Sequence, residues 1–290
     1  MLIYSTGFQT NLGVISALVA RKDYVIGDKD DHASIVDGCM LSQGEFLRFT
    51  HNDMDSLTGR LDTLEPEAGK LVVVDGVFSM GGDIAPLPDL VRITREHKAV
   101  LMVDDAHGIG VLGENGAGTV NHFGLTDQVH LIMGTFSKSL ASLGGFIASD
   151  AQTIEFLKHN SRALIFSASM SPANAAAGLA ALEIMQREPE RRETLWRNTT
   201  MMRDGLQQLG FDTGSSETPI ITICCKDPMR ALRMGMRLQE EGIFVNPVVP
   251  PAVPPNGALI RVSLMATHTE SQISFAIERL QRVGKELGII

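Results

Sequence analysis

The sequence predicts an α/β protein, with a mainly parallel sheet in a large domain and a smaller α+β domain at its C-terminal end. Three observations predict it. Leu71-Val-Val-Val74 and Leu101-Met-Val103 are continuous apolar runs, as expected of strands buried on both faces of a parallel sheet. Segments with helical periodicity alternate with such runs, which is the βαβ pattern. After Gly210 the texture changes to shorter strands and amphipathic helices. The spacing places a domain boundary at the end of a long helix, giving domains 1–187 and 188–290.

The elements follow in order. Leu2 to Asn11 reads as a short strand, a glycine turn and a helix start, with the helix over 11–20. The N–H groups around Gly7 and Phe8 either hold a phosphate at that helix end or belong to an ordinary βα turn. Tyr24–Asp28 reads as a strand, and the next helix has an acidic cap before His32. His32 is either a capping or surface histidine, or a flat ring that stacks on a cofactor. Phe46–Phe49 is a strand, and His51-Asn-Asp53 caps a helix.

After Leu71–Val74 comes a loop containing Ser79, a ligand contact or a turn hydroxyl. A helix over 89–97 leads to Leu101–Val103, which runs straight into Asp104-Asp-Ala-His107. Carboxylates just past a strand end sit where open α/β sheets bind ligands. His130-Leu-Ile-Met133 is a further strand, followed by Gly134-Thr-Phe-Ser-Lys138. Gly145–Ala148 is a strand, 150–160 a helix, and 162–169 extended. A long helix begins at Ser171 or Pro172, and Pro189 breaks or restarts it. In the C-terminal domain, strands over 219–225, 243–248 and 259–264 alternate with helices over 229–241 and 270–287. A proline-rich loop, Pro247 to Pro255, is stiff rather than a flexible linker.

Bulk properties exclude some functions. The net charge of −9 argues against nonspecific binding to nucleic acid or an anionic membrane. Three cysteines, two of them adjacent, make no disulfide framework and point to a reducing, cytoplasmic compartment. No apolar run approaches membrane-span length, so no integral membrane segment is expected.

One constellation carries chemistry. Lys138 stands just beyond a strand, among Thr135, Ser137 and Ser139. A lone lysine there is equally a solvated loop residue. Asp104 stands just beyond the neighbouring strand run, 34 residues earlier. Pyridoxal phosphate needs a lysine for its aldehyde, a carboxylate for its pyridine nitrogen, hydroxyls and N–H groups for its phosphate, and a flat cover for its ring. Lys138 and Asp104 meet the two hardest needs. His107 suits the ring hydroxyl, and Thr135, Ser137 and the Gly7–Phe8 turn suit the phosphate.

With these residues in place, the sequence resembles the α-oxoamine synthases, pyridoxal-phosphate enzymes of fold type I. The matching stretches are Ser5-Thr-Gly-Phe-Gln-Thr-Asn11, Asp31-His-Ala-Ser-Ile35, Gly76-Val-Phe-Ser-Met80, Val103-Asp-Asp-Ala-His-Gly108, Gly134-Thr-Phe-Ser-Lys138 and Phe166-Ser-Ala-Ser169. They keep the family's order along nearly the whole chain. The resemblance implies that Lys138 carries the cofactor and moves the Cα proton. It implies that Asp104 pairs with the pyridine nitrogen, and that His32 stacks on the ring and helps place the substrate carboxylate. His107 and Ser79 would contact the ring hydroxyl. Thr135, Ser137, Gly7 and Phe8 would hold phosphate, with Ser167 and Ala168 reaching in from a partner subunit of a homodimer. Arg261 would bind the amino-acid carboxylate; without the resemblance it reads as an ordinary edge-strand arginine.

The Thr-Phe-Ser-Lys-Ser wording around Lys138 is most similar to the bacterial branch that condenses L-serine with palmitoyl-CoA. That implies a PLP-dependent acyltransferase forming 3-ketosphinganine with loss of CO2. The alternatives are a sister activity using glycine or alanine with a shorter acyl group, or a silent partner subunit. The family is longer at its N-terminus, so the resemblance also implies a truncated chain. Asp75 stands where relatives usually have Glu, Gly81 where they often have Asp, and Ala252 where synthases using short amino acids tend to have Thr.

Overall fold

In the run Leu71-Val-Val-Val74, Val72 and Val74 pack into one apolar cluster while Leu71 and Val73 pack into another. The alternation is the two-residue period of a strand, and two buried clusters mean a sheet covered on both faces. The structure, a computed structural model, describes residues 1–290. They divide into two units, Met1–Phe78 with Ala85–Glu188, and Ser79–Ile84 with Pro189–Ile290.

The first unit runs β1 (Leu2–Tyr4), α1 (Gly7–Leu18), β2 (Tyr24–Asp28), α2 (Ala33–Leu41), β3 (Glu45–Phe49), α3 (Met54–Asp62), β4 (Lys70–Asp75), α4 (Leu87–Glu96) and β5 (Val100–Asp104). A 3₁₀ turn at Glu114–Gly116 precedes α5 (Thr119–His122), β6 (Leu131–Thr135), β7 (Gly145–Ala148), α6 (Ala151–Asn160), α7 (Arg162–Ile165) and α8 (Pro172–Arg187). The seven strands lie in the order β1-β7-β6-β5-β4-β2-β3. The five from β6 to β3 pair in parallel, and β7 and β1 are antiparallel at one side. Val14, Ile15, Ile35, Ile154 and Leu157, from α1, α2 and α6, join one face's cluster. Leu57, Leu61, Leu90 and Ile93, from α3 and α4, join the other. Each fully buried aliphatic side chain stabilises the unit by about 1.5–3 kcal/mol.

The second unit holds α9 (Glu190–Gln208), β8 (Ile220–Lys226), α10 (Pro228–Glu240), β9 (Asn246–Val248), β10 (Ala258–Ser263) and α11 (Glu270–Glu286). Its sheet is antiparallel in the order β8-β10-β9. In α10, Ala231, Met234, Gly235 and Leu238 are buried, at the helical spacing of a single stripe. Thr269 and Gln272 form a reciprocal capping box that starts α11. No helix is long and apolar enough to cross a membrane.

Four expectations change. The first helix begins at Gly7, not Asn11, because the Thr6 hydroxyl accepts the Gln9 N–H and caps it there. Residues 162–165 are helical rather than extended, because the Ser161 carbonyl accepts from both Leu164 and Ile165. The strand expected over 243–248 shortens to 246–248, since the Ile243 N–H closes α10 on the Leu238 carbonyl. Arg261 lies on β10, the middle strand of its sheet, and not on an edge.

Candidate active site

The C-terminal ends of the parallel strands set the site. There β2 ends at Asp28, β4 at Asp75, β5 at Asp104 and β6 at Thr135. Asp75 pairs in register with Asp104, and Asp104 with Met133. The short turns after these ends therefore stand side by side.

Asp104 is buried and held from two sides. Its Oδ1 accepts the Ala106 N–H at 3.0 Å, and its Oδ2 accepts Asn11 Nδ2 at 2.6 Å. Asp105, next in sequence, serves structure instead. It accepts from Thr119 N at 2.9 Å, Thr119 Oγ1 at 2.6 Å and Val120 N at 3.3 Å. A Cβ on Gly108 would come within 1.9 Å of Asp105 Oδ1, so only glycine leaves room for this anchor. His107 is half-buried in the turn between them.

His32 is itself the cap of α2, where an acidic cap was expected. Its Nδ1 accepts the Ser34 N–H at 3.2 Å and lies 2.7 Å from Ser34 Oγ. Its backbone N–H donates to Asp75 Oδ2 at 2.7 Å. The Phe8 ring meets the His32 ring edge-on, with centroids 6.5 Å apart. Burial lowers the His32 pKa; the Asp104 carboxylate opposes the shift and the Lys138 ammonium adds to it. Asp75 is raised well above the carboxylate range, by burial and then by Asp104, with Lys138 opposing. Lys138 thus projects its charge onto both His32 and Asp75. Asp31 is raised too, by burial and by Asp75, while it accepts the N–H groups of Asp28 at 2.8 Å and Asp75 at 3.0 Å.

Lys138 is exposed, in a turn directly after β6 that Ala141 N–H to Lys138 O, at 3.0 Å, helps close. Thr135 Oγ1 donates to the Gly144 carbonyl at 3.0 Å, accepts the Ser137 N–H at 3.3 Å and lies 2.9 Å from Ser137 Oγ. The first turn of α1 sits on this hydroxyl pair. A Cβ on Gly7 would lie 2.9 Å from Thr135 Oγ1. The Gly7–Phe8 end of a twelve-residue helix and two hydroxyls make a cradle for a phosphate. Ser167 and Ala168 lie by the same helix end. Gln9 Nε2 donates to Ser167 Oγ at 3.0 Å, and Ser5 Oγ donates to the Ala168 carbonyl.

The structure therefore brings Gly7, Phe8, His32, Asp104, His107, Thr135, Ser137 and Lys138 together in the first unit. Ser79 and Arg261 belong to the second unit, where Arg261 Nε donates to the Ser79 carbonyl at 2.7 Å. Burial lowers the Arg261 pKa from its ordinary value, and Nη1 donates to Ser263 Oγ at 2.7 Å. Sequence reasoning gave no role to Asn11, Ser34 or Asp75. Asn11 had one usable signal: with Val14 and Ile15 it stands at i, i+3, i+4, a polar residue on a buried stripe.

The donor set fits pyridoxal phosphate. Asp104 keeps lone pairs beyond its two accepted bonds for a pyridinium N–H, and Asn11 Oδ1 is a buried oxygen with no partner beside it. The cradle at Gly7 is shaped by the absence of a side chain.

Residues 1–280 match the family described as Aminotransferase class I and II. The chain is 55% identical over 288 residues to a serine palmitoyltransferase of Sphingobacterium spiritivorum, covering 99% of this chain and 72% of that protein. It is 46% identical over 290 residues to an 8-amino-7-oxononanoate synthase of Symbiobacterium thermophilum, covering 100% and 74%. A serine palmitoyltransferase from S. paucimobilis, solved with PLP and myriocin, superposes with a TM-score of 0.97 at 38% identity, covering 100% of this chain and 73% of that one. The chain belongs to the aminotransferase class I and II family and, within it, to the α-oxoamine synthases, pyridoxal-phosphate enzymes of fold type I.

Proposed function

We propose that the protein condenses L-serine with a long-chain acyl-CoA, releasing CoA and CO2 and giving 3-ketosphinganine. The carrying observation is the 55% identity over 99% of the chain to a serine palmitoyltransferase. The lysine turn after β6 and the carboxylate ending β5 supply what such chemistry needs.

Bound pyridoxal phosphate supplies an electron sink for negative charge at the serine Cα. Lys138 Nζ would hold it, with Asp104 at the pyridine nitrogen, His32 over the ring, His107 and Ser79 at the ring hydroxyl, and Gly7, Phe8, Thr135 and Ser137 at the phosphate. Ser167 and Ala168 bond Gln9 and Ser5 of their own chain, so they would flank the phosphate side from within one subunit, where the resemblance had them reach in from a partner. Lys138 takes the Cα proton of serine and later returns one to the same carbon. In between, a bond forms from that carbon to the thioester carbonyl, the CoA thiolate leaves, and the C–CO2 bond breaks. Arg261 offers a planar fork to the serine carboxylate. The residues contribute chiefly by holding the reacting atoms in place and by fixed charge.

The homodimer rests on exposed apolar surface. Leu143, Ile165, Phe166 and Leu179 are exposed, and along α8 Gly178 alone is buried. A partner covering that face would bury it. The cytoplasm is the compartment this reading assigns, consistent with three free cysteines.

The test is absorbance of the purified protein with pyridoxal phosphate, before and after L-serine, alongside Lys138→Ala, with palmitoyl-CoA products read by mass spectrometry. A visible cofactor band lost in the variant, a change with serine, and a 3-ketosphinganine product are expected. A response to alanine with a shorter acyl thioester, and none to serine, would assign the sister activity instead. Arg261→Lys should raise the serine KM with the cofactor band unchanged.

A further inference from the structure

Four side chains form one hydrogen-bonded line across the first unit. Asp104 Oδ2 accepts Asn11 Nδ2 at 2.6 Å, Asn11 Nδ2 also reaches Ser34 Oγ at 2.9 Å, and Ser34 Oγ lies 2.7 Å from His32 Nδ1. Asn11 and Ser34 are fully buried, so water does not compete for these bonds. The proton positions follow by elimination. A carboxylate oxygen needs a donor, which fixes the Asn11 amide with its NH2 toward Asp104 and Ser34. Both amide hydrogens are then used, one on Asp104 and one on Ser34 Oγ. Ser34 Oγ, having accepted from Asn11, has its own hydrogen to give, and His32 Nδ1 is the acceptor at hand. The Ser34 backbone N–H also points at Nδ1, at 3.2 Å. Nδ1 therefore receives from two donors and carries no proton, which puts the imidazole hydrogen on Nε2.

We infer that Ser34 is a positioning residue that locks His32 as the neutral Nε2–H tautomer, with Asn11 linking that lock to Asp104. The inference deepens the reading of His32 as the ring cover that helps place the substrate carboxylate, and rests on it. A neutral ring with a fixed N–H offers one directed hydrogen bond to a carboxylate oxygen. An imidazolium would need a hydrogen on Nδ1, against the Ser34 N–H. Burial and the Lys138 charge work the same way, while Asp104 opposes them; Asp75, which accepts the His32 backbone N–H, and Asp31 are the other ionisable groups at this helix start. The line also couples two parts of the site: a shift of Asp104 is felt at the ring cover through Asn11.

The test uses the full chain labelled with ¹⁵N-histidine, without cofactor, in long-range ¹H–¹⁵N spectra from about pH 5 to pH 8. His32 is assigned from the signals missing in His32→Gln. The wild type is expected to show His32 as the Nε2–H tautomer alone, titrating below the ordinary histidine range. Ser34→Ala is expected to give a tautomer mixture and a higher pKa, and Ser34→Thr, which keeps the hydroxyl, to restore both. Thermal unfolding of each variant establishes that it is folded. A wild-type Nδ1–H tautomer overturns the inference, and so does a folded Ser34→Ala with unchanged tautomer and pKa. In the loaded enzyme Ser34→Ala should raise the serine KM about tenfold, the worth of one such bond. The spectra need no substrate, so they stand or fall independently of the proposed reaction.

Discussion

Asp75 and Asp104 are paired in register at the ends of β4 and β5, and the Asp104 charge, after burial, is what raises the Asp75 pKa. A parallel sheet that ends two adjacent strands in carboxylates brings like charges together. Lys138 offsets part of this at Asp75.

The raised Asp75 pKa has a sign. A carboxylate that holds its proton more tightly when folded contributes most below its unfolded pKa, and that contribution falls as pH rises through the folded value. Asp75→Asn removes the titration and keeps an acceptor for the His32 N–H. The variant should therefore gain stability relative to wild type between about pH 5 and pH 8. Urea unfolding at both pH values reads the difference. A constant gap across that range means Asp75 does not titrate abnormally.

Asp104→Asn keeps the shape of the side chain and removes its charge. The amide also turns an NH2 toward either Ala106 N–H or Asn11 Nδ2, both of which are donors. Activity with serine and acyl-CoA should fall about 10²–10³-fold, the usual cost of removing a preorganised charge contact. Circular dichroism should show an unchanged fold. Full activity in the variant would remove Asp104 from the ring-nitrogen role.

Gly7→Ala tests the phosphate cradle. The new Cβ would stand 2.9 Å from Thr135 Oγ1 and 3.2 Å from Met133 Cε. Overpacking at a tight contact costs about 1–3 kcal/mol. Pyridoxal-phosphate affinity, titrated by absorbance, should weaken roughly tenfold or more. Unchanged affinity would place the phosphate elsewhere.

The thiols should be slow. Burial, then Asp31, pushes the Cys39 thiol up to about 12, and burial pushes Cys225 up to about 11. At pH 8 the Cys39 thiolate fraction lies roughly 10³-fold below that of an unperturbed thiol. Iodoacetamide labelling followed by peptide mass spectrometry should find Cys39 unmodified until denaturant is added. Labelling of Cys39 in the native protein at the rate of a free peptide thiol would contradict its burial.

Local pattern was enough for much of the framework. Continuous apolar runs marked β4 and β5, because a strand covered on both faces has no polar side to show. Proline marked both ends of α8, Pro172 at its start and Pro189 just past its end, because the backbone limits of proline are a local property. The order of Asp104, His107 and Lys138 along the chain, each just past a strand, pointed to a cofactor before any packing was known. What those residues rest on was not legible. Asn11 read as a helix start, and only the cap at Thr6 moves the helix back so that Asn11 lies inside it, against Asp104. Asp104 and Asp105 are equivalent in sequence, and the sheet decides which faces the site and which anchors Thr119. The pKa shifts of Asp31 and Asp75 depend on three strand ends coming side by side. Apart from that local cap, those facts depend on contacts between residues 14 to 93 positions apart, and a hydrogen bond at that separation is set by the pairing of strands and helices, not by the residues' neighbours in the chain.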